Sequence, residues 1–461
     1  MKLLYIGGGY VGICSAAVAA DSGHDVLIYD IDEKRIEAYK SGEREKINEI
    51  LFEDGLVDLL AKNQERLSYS SDFSVVRKYL DTAEAIFLCL PTPEKAESGE
   101  TNLNYYYSAI ETLLPALKER NTGTQSQYMV LINKSTVPID TADFLRDKLV
   151  QSGVVNVGIA ANPEFLAEGK AIQGSLKPDR IVVGAWQEKD FIVMRSIYQR
   201  FYQSPTVKYV EVNPREAAAG KLLANFYLFN KLAVCYDAAG RVSEAYPCIQ
   251  FENLRNIIGT DERIGTWGLF DSLYAGGSCF IKDSRSLSYQ LREKGQRTDL
   301  IDEVHKSNEY QLERFLNRLE NEGEKNWNGL KVAVLGLSYK RDTNDIRNSP
   351  SLKIVTHLMS NNVGNIKLYD PMAIDNFKKV FPANEKITYC ENEDSALKEV
   401  DCIIMATDWP QFRSLGDKIL ILSNRPLIMD GRRILQHKYE ELKTAGFDII
   451  AVGSPFIKGN K

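Results

Sequence analysis

The strongest constraint on this chain is a pattern written twice. Lys2-Leu3-Leu4-Tyr5-Ile6-Gly7 near the start is echoed by Lys331-Val332-Ala333-Val334-Leu335-Gly336. Val26-Leu27-Ile28-Tyr29 ends at Asp30, and Lys367-Leu368-Tyr369 ends at Asp370. Ala85-Ile86-Phe87-Leu88, with Thr92 beyond it, corresponds to Cys402-Ile403-Ile404-Met405 and Thr407. Short apolar runs separated by helical stretches mark strands buried on both faces, and such strands belong to parallel sheets covered by helices. Further runs at 85–90, 128–132 and 181–183 extend the first copy. The expected fold is α/β, with two doubly wound parallel-sheet domains of similar topology.

Between the copies, residues 206–308 carry no strand signal and read as helical. One helix has a well-marked start: Asn213 can cap it, Pro214 suits the first turn, and Glu216 completes an Asn-x-x-Glu box. Its apolar continuation through Leu232 and Val234 predicts a long central helix and a candidate dimer surface. The expected domains are therefore 1–205, a helical central domain over 206–308, and 309–461. The polar run Asn321-Glu322-Gly323-Glu324-Lys325-Asn326 is the best linker candidate.

A length of 461 residues exceeds what one hydrophobic core serves, which agrees with several domains. The net charge of −6 argues against attraction of the whole protein to nucleic acid or an anionic membrane. Seven cysteines, odd in number and without a Cys-x-x-Cys pair, form neither a disulfide framework nor a zinc ribbon. The four histidines are too scattered to suggest a metal site. Met1 runs almost directly into a strand, and no apolar stretch is long enough to span a bilayer. The expected compartment is the cytoplasm.

Gly7-x-Gly9-x-x-Gly12 follows a predicted strand and opens a helix, as a dinucleotide-binding turn requires. Its glycines permit a tight turn and close approach of a pyrophosphate, and the helix N-terminus favours negative charge. Asp30, 18 residues beyond Gly12, stands where a carboxylate can bind ribose hydroxyls and repel a 2′-phosphate. NAD is expected over NADP, with Lys34 and Arg35 the cations that a 2′-phosphate would seek. At the other end of the site inventory, Gly276-Gly277-Ser278-Cys279-Phe280-Ile281-Lys282-Asp283 presents a thiol on a glycine-flanked turn beside a lysine and a carboxylate. Alone, it reads first as a buried, inert cysteine beside a surface Lys-Asp pair, and second as a nucleophile whose thiolate nearby charge favours. Glu164 and Glu168 share a face if their segment begins a helix, where two carboxylates can divide proton-transfer work. They could equally be acidic residues favouring a helix N-terminus. Lys221, four residues before Asn225 on the capped helix, reads by itself as a solvated surface cation.

Several blocks, in order, resemble those of the UDP-glucose/GDP-mannose dehydrogenase family. They are Leu90-Pro91-Thr92-Pro93, Lys134-Ser135-Thr136-Val137-Pro138, Asn162-Pro163-Glu164-Phe165-Leu166-Ala167-Glu168-Gly169 and Pro178-Asp179-Arg180. They continue with Lys221-x-x-x-Asn225, Arg263-Ile264-Gly265, the cysteine loop, Gly336-Leu337-Ser338-Tyr339-Lys340 and Asp430-Gly431-Arg432. The resemblance covers nearly the whole chain. It implies two Rossmann-like domains joined by the central helix, a homodimer, NAD as cofactor and UDP-glucose or a related nucleotide sugar as substrate.

Oxidising a primary alcohol to an acid takes two hydride transfers with an aldehyde between them. A thiolate can hold that aldehyde as a thiohemiacetal, whose oxidation gives a thioester that water cleaves. The resemblance makes Cys279 that thiol and Asp283 a group that positions or activates water. It gives Glu164 the base role in hydrolysis, Thr136 a hold on water, and Lys221 and Asn225 donation to a developing oxyanion. It assigns cofactor contacts to Gly7, Gly9, Tyr10, Val11, Gly12, Asp30 and Lys34. Thr92, Pro93, Thr136, Glu168, Lys282 and Arg347 complete that set. Substrate contacts fall to Glu164, Phe165, Leu166, Lys221, Asn225, Gly276 and Cys279, with Glu168 nearby. In the second α/β domain Tyr339, Lys340 and Arg432 suit a diphosphate and a sugar carboxylate, and Arg263 resembles an arginine reaching substrate across a dimer interface.

Some positions depart from the family pattern. Ala275 replaces an aromatic before the double glycine, Ile281 a proline, Ile139-Asp140 a Gly-Thr, and Gln173-Gly174 stands where an aspartate is usual. Tyr236-Asp237 replaces Asn-Glu, and Arg433 an asparagine. Several border the sugar pocket or the cysteine loop, so GDP-mannose or a UDP-N-acetylhexosamine stays open as substrate. A two-electron hydroxyacid dehydrogenase and a non-catalytic nucleotide-sugar sensor are the readings outside the class.

Overall fold

The computed structural model describes residues 1–95, 97–120, 127–270 and 272–460. The chain forms two compact units, the first comprising 1–224 with 282–296 and the second 225–281 with 297–461.

The first unit is built on an eight-stranded sheet of β1 (Lys2–Ile6), β2 (Asp25–Tyr29), β3 (Leu67–Ser70), β4 (Ala85–Leu88), β5 (Met129–Asn133), β6 (Val157–Ala161), β7 (Arg180–Ala185) and β8 (Lys208–Val212). Its order is β3-β2-β1-β4-β5-β6-β7-β8. Alternate residues of one strand face opposite sides: Leu3 and Tyr5 enter one buried cluster, Leu4 and Ile6 the other. Tyr5 stacks on Phe87 of the neighbouring strand, ring centroids 4.5 Å apart. Both faces are thus filled, which explains the continuous apolar runs.

The second unit repeats the plan with β9 (Lys331–Leu335), β10 (Asn365–Tyr369), β11 (Ile387–Tyr389), β12 (Cys402–Met405), β13 (Leu427–Asp430) and β14 (Ile449–Ala451), in the order β11-β10-β9-β12-β13-β14. The likeness extends to single atoms. The N–H of Gly7 donates to the carbonyl of Tyr29 at 2.8 Å, and that of Gly336 to Tyr369 at 2.9 Å. Both glycines have positive φ, 102° and 92°. A Cβ on Gly7 would lie 2.2 Å from the Cys89 carbonyl oxygen, and one on Gly336 would lie 2.4 Å from Thr407. Each turn therefore requires glycine twice over, for its conformation and for its close neighbour.

Three expectations need correction. Residues 206–308 are not strand-free, because β8 pairs parallel with β7 at the edge of the first sheet, so the 205/206 limit precedes a strand of that sheet. The first sheet is not wholly parallel, since β7 runs antiparallel to β6. The 308/309 limit falls inside the helix Asp299–Asn321. The central helix is capped as expected: Asn213 Oδ1 accepts from the Glu216 N–H at 3.0 Å, and Glu216 Oε2 from the Asn213 N–H at 2.9 Å. It runs over Pro214–Ala233 and continues as a π-helical turn, Val234–Ala239. Among the described residues no helix is long and apolar enough to cross a membrane.

Candidate active site

In the first unit the strand order reverses between β1 and β4, the place where open α/β sheets receive ligands. Gly9 caps the helix Tyr10–Asp21 without a side-chain bond, and no acidic residue occupies its first turn. The first N–H groups of that helix are therefore left to an anion. An added Cβ on Gly9 would meet nothing within 4 Å, whereas one on Gly12 would lie 1.9 Å from the Gly7 carbonyl oxygen. Gly12 brings helix and strand together while Gly9 leaves the turn open, a cradle that fits a dinucleotide pyrophosphate. Tyr10 and Val11 begin the helix.

Asp30, buried at the end of β2, accepts from the Gly8 N–H at 2.7 Å and from the Asp32 N–H at 2.9 Å. Arg35 donates to the same carboxylate at 2.8 Å. The acid thus supports the glycine turn and is paired with Arg35, with acceptor capacity left for a hydroxyl. Lys34 is exposed. Thr92 donates to the Thr136 carbonyl at 2.8 Å, fixing the loops after β4 and β5 against each other, with Pro93 exposed beside them.

Glu164 and Lys221 form the chemical centre of this unit. The carboxylate lies 3.0 Å from the ammonium, and the side chains are 9% and 4% exposed. The second carboxylate oxygen accepts from the Leu166 N–H at 2.6 Å. Burial pushes the Glu164 carboxyl up, but Lys221, the Leu166 N–H and Lys134 outweigh it and hold the group below its ordinary value. Glu164 is therefore ionised at neutral pH. The Phe165 ring lies between cations, with the Arg180 guanidinium 3.9 Å and the Lys221 ammonium 5.3 Å from its centroid. Lys221 is thus a buried partner of a carboxylate, not a solvated surface cation.

The shared helix face expected for Glu164 and Glu168 is not formed, because 162–170 is an irregular loop. Pro163 opens it, and its anchor is Glu53, whose carboxylate accepts from the Gly169 N–H at 2.7 Å and the Ala171 N–H at 2.5 Å. Glu164 points into the buried pair, while Glu168 lies near Tyr10 and Cys14 and adds to the upward push that burial gives both groups. The two glutamates serve different neighbours.

Cys279 is exposed and immediately precedes the helix Phe280–Glu293, so Asp283 falls in that helix's first turn. Within the first unit Lys282 donates to Asp283 at 2.6 Å, and Asp283 is almost wholly buried. The same helix meets the loop after β4: Arg285 pairs with Glu94 at 3.4 Å, and Thr101 and Ser286 share a hydrogen bond of 2.7 Å. Gln290 accepts from the Ile139 N–H at 2.8 Å, using the backbone where the sequence departs from Gly-Thr.

Within the second unit, Tyr339 and Asn348 shape the cysteine loop. Gly277 has φ of 90°, and a Cβ there would sit 2.8 Å from the Tyr339 ring; one on Gly276 would sit 2.4 Å from the Asn348 carbonyl oxygen. Asn308 closes a two-way bond with Ala275, accepting its N–H at 2.8 Å and donating to its carbonyl at 3.1 Å. Tyr236, one of the departures, donates to the same Asn308 oxygen at 2.7 Å. Arg432, after β13, donates to Ser272 at 2.8 Å and pairs with Asp408 at 3.0 Å. Lys340 lies 5.5 Å from the Tyr339 ring centroid. Asn225 is buried on the central helix. Arg263 pairs with its neighbour Asp261 at 2.6 Å and is 89% exposed, and Arg347 pairs with Asp345 at 2.6 Å.

The cysteines sort themselves physically. Burial pushes the thiols of Cys14, Cys89, Cys390 and Cys402 up, Cys89 to about 12. Cys235 is buried, leaving Cys248 and Cys279 exposed, and only Cys279 stands on a glycine turn at the start of a long helix.

Family models match in three consecutive segments: the NAD-binding domain of the UDP-glucose/GDP-mannose dehydrogenase family over 1–202, its central domain over 215–310 and its UDP-binding domain over 333–437. A UDP-glucose 6-dehydrogenase of Bacillus subtilis, TuaD, is 31% identical over 100% of this chain and 95% of its own. The chain belongs to the UDP-glucose/GDP-mannose dehydrogenase family. It is an NAD-dependent nucleotide-sugar dehydrogenase. Among solved structures, a UDP-glucose dehydrogenase from Pyrobaculum islandicum superposes with a TM-score of 0.83 at 27% identity, covering 95% of each chain. A UDP-D-ManNAc dehydrogenase from Pyrococcus horikoshii has the same fold, with a TM-score of 0.81 at 23% identity over 98% of this chain and 99% of that one.

Sequence reasoning missed the supporting residues within each unit, Glu53 in the first and Asn308 and Tyr236 in the second. Glu53, Asn308 and Tyr236 sit far from the residues they hold, and no spacing rule links them. Lys134 belongs to the Lys-Ser-Thr-Val-Pro motif without a role assigned to it, although it directly follows β5, a strand buried at every position.

Proposed function

We propose that this dehydrogenase oxidises UDP-glucose at C6 to UDP-glucuronate in two steps through a thioester on Cys279. The observation that carries the reading is the ionised Glu164 held by buried Lys221, together with an exposed thiol on a turn that only glycine can make. NAD, when bound at the glycine turn and Asp30, would accept one hydride in each oxidation, two molecules serving in turn. The Cys279 thiolate adds to the aldehyde carbon, forming the C–S bond, and the new oxyanion takes stabilisation from donors such as the Lys221 ammonium and the Asn225 amide. At the thioester, Glu164 accepts a proton from water as the water oxygen bonds to the carbonyl carbon. The C–S bond then breaks, the thiolate departs, and the product is the carboxylate. Thr136 and Asp283 hold water for this step. Lys340, Tyr339 and Arg432 bind the nucleotide diphosphate.

The names of the relatives favour UDP-glucose. The test is NADH formation across UDP-glucose, GDP-mannose and UDP-N-acetylhexosamines with the wild type and Cys279→Ser. UDP-glucose should be preferred, and Cys279→Ser should lose net turnover. Preference for a guanosine sugar would remove the UDP-glucose assignment. Unchanged turnover in Cys279→Ser would favour a two-electron dehydrogenase instead.

A second copy of this chain is the proposed partner. What supports it is that the second unit exposes Tyr227, Val234, Val242, Ile257, Trp267 and Phe270 along the central helix and the segments after it.

A further inference from the structure

We infer that Lys134 is a positioning residue of this reaction, one that holds Asn162 beneath the catalytic loop and supplies a second positive charge to keep Glu164 ionised beside Lys221. The inference rests on the role given above to Glu164 and deepens it.

Lys134 follows β5 directly and is 8% exposed. Its ammonium donates to Asn162 Oδ1 at 2.9 Å, and the Tyr198 hydroxyl donates to the same oxygen at 2.5 Å. Asn162 is in turn tied by its amide to the Val182 carbonyl at 2.8 Å and by its N–H to the Asn133 carbonyl at 2.8 Å. Two residues later the chain reaches Glu164. The loop carrying the carboxylate therefore starts from a residue that Lys134 pins. Its neighbours Ser135 and Thr136 tie the same segment to Leu90 and Thr92.

The charged and titratable groups facing Lys134 are Cys89 from the loop after β4, Tyr198 from the helical segment before β8, Glu164 from the catalytic loop and Lys221 from the central helix. Tyr5 on β1 faces Cys89 and Tyr198. Burial raises the phenols of Tyr5 and Tyr198 and the Cys89 thiol, so none carries charge near neutrality. Glu164 is then the one anion of the set. Burial pulls the Lys134 ammonium down to about 8, with Cys89 and Glu164 opposing and Lys221 adding to the pull. At neutral pH Lys134 is still charged, and two cations face one carboxylate. That excess positive charge both lowers the Glu164 carboxyl and suits the oxyanion forming nearby.

Lys134→Gln tests the charge while leaving a donor for Asn162. The sign follows from the linkage: losing a nearby cation disfavours the carboxylate, so its pKa rises. Since Glu164 must be ionised to take a proton from water, the acid limb of kcat should move to higher pH, by about one unit. Tyr198→Phe disturbs the same cluster without changing charge and should leave the limb in place. Lys134→Met, apolar and of similar size, should move the limb at least as far and carries the same prediction if the glutamine variant does not fold. An acid limb at its wild-type pH in a folded Lys134 variant would overturn the inference, whatever happens to the melting temperature. Glu164→Gln separates the two ideas. If it keeps the wild-type rate and limb, the base role of Glu164 fails; if it abolishes turnover while Lys134→Gln leaves the limb unmoved, only the role of Lys134 fails.

Discussion

Glu164 and Lys221 are each nearly shut off from water, and either charge is tolerated there because the other lies 3.0 Å away. A lone buried charge is far more costly than a buried pair, while an apolar replacement of both partners is often close to neutral. Lys221→Ala should therefore destabilise the protein by about 3–5 kcal/mol, read as a lower urea midpoint. The double variant Lys221→Met with Glu164→Leu should recover only part of that loss, because Lys134 then keeps a buried charge without its carboxylate, and should remain inactive. Under folding conditions Lys221→Ala should also lower kcat much more than it raises KM, because its donation matters most when negative charge develops. A rise in KM at unchanged kcat would reduce Lys221 to a ligand contact. At this scale the sequence could name Lys221 through the motif around it. It could not show that the lysine is buried, because burial depends on the distant loop that brings Glu164 to the helix.

Elements explain why some of the fold was readable and some was not. The glycine turns after β1 and β9 were legible because each needs positive φ and no Cβ, demands only one residue type meets. Central strands such as β4 and β12 are buried at every position and read as unbroken apolar runs. β8, at the sheet edge, reads Lys-Tyr-Val-Glu-Val with no fully buried residue, and so carries no such signal. The two turns also differ in a way their sequences only hint at. Asp370 is filled by six donors, the N–H groups of Leu337, Ser338, Met372 and Ala373, the Ser338 hydroxyl and the Trp409 indole, whereas Asp30 accepts from three and keeps acceptor capacity. At the far end of the first helix, Asp21 joins three helical segments by accepting from Lys62 at 2.6 Å, Arg200 at 2.8 Å and Asn63 at 3.3 Å. Burial raises its carboxyl, but these three donors outweigh it and bring the group to about 2. A folded-state value below the unfolded one means stability present above about pH 4 and lost as the pH falls toward 2. Lys62 and Arg200 are solvated, so the contribution is about 1–2 kcal/mol. Asp21→Asn should thus unfold at lower urea than the wild type at pH 7, and the gap should close by pH 2. A gap independent of pH would mean that packing, not charge, links these segments.

For the whole molecule, two copies of one sheet plan divide the labour: the first keeps an open glycine cradle, and the second sets Tyr339, just past its own glycine turn, against Gly276 and Gly277 of the cysteine loop. What the single chain leaves unexplained is Arg263, whose side chain is 89% exposed although the family motif places it among substrate contacts. A second copy accounts for this if its Arg263 reaches the substrate held by the first, and the exposed apolar row from Tyr227 to Phe270 supplies a surface for that copy. Sedimentation should then give about twice the 52.0 kDa chain mass. Tyr227→Asp with Val234→Asp should shift the protein toward monomers and raise KM for the nucleotide sugar. Mixing decides whether Arg263 acts across the interface. Cys279→Ala dimers lack the thiol and Arg263→Ala dimers lack the substrate arginine, so each alone should turn over poorly. Exchange of subunits makes mixed dimers in which one site combines an intact Cys279 with the partner's intact Arg263. With half the dimers mixed and one working site in each, activity should return to about a quarter of the wild-type value. If Arg263 served its own subunit, the Cys279→Ala subunit would hold the only Arg263 beside a dead thiol, and mixing would restore nothing.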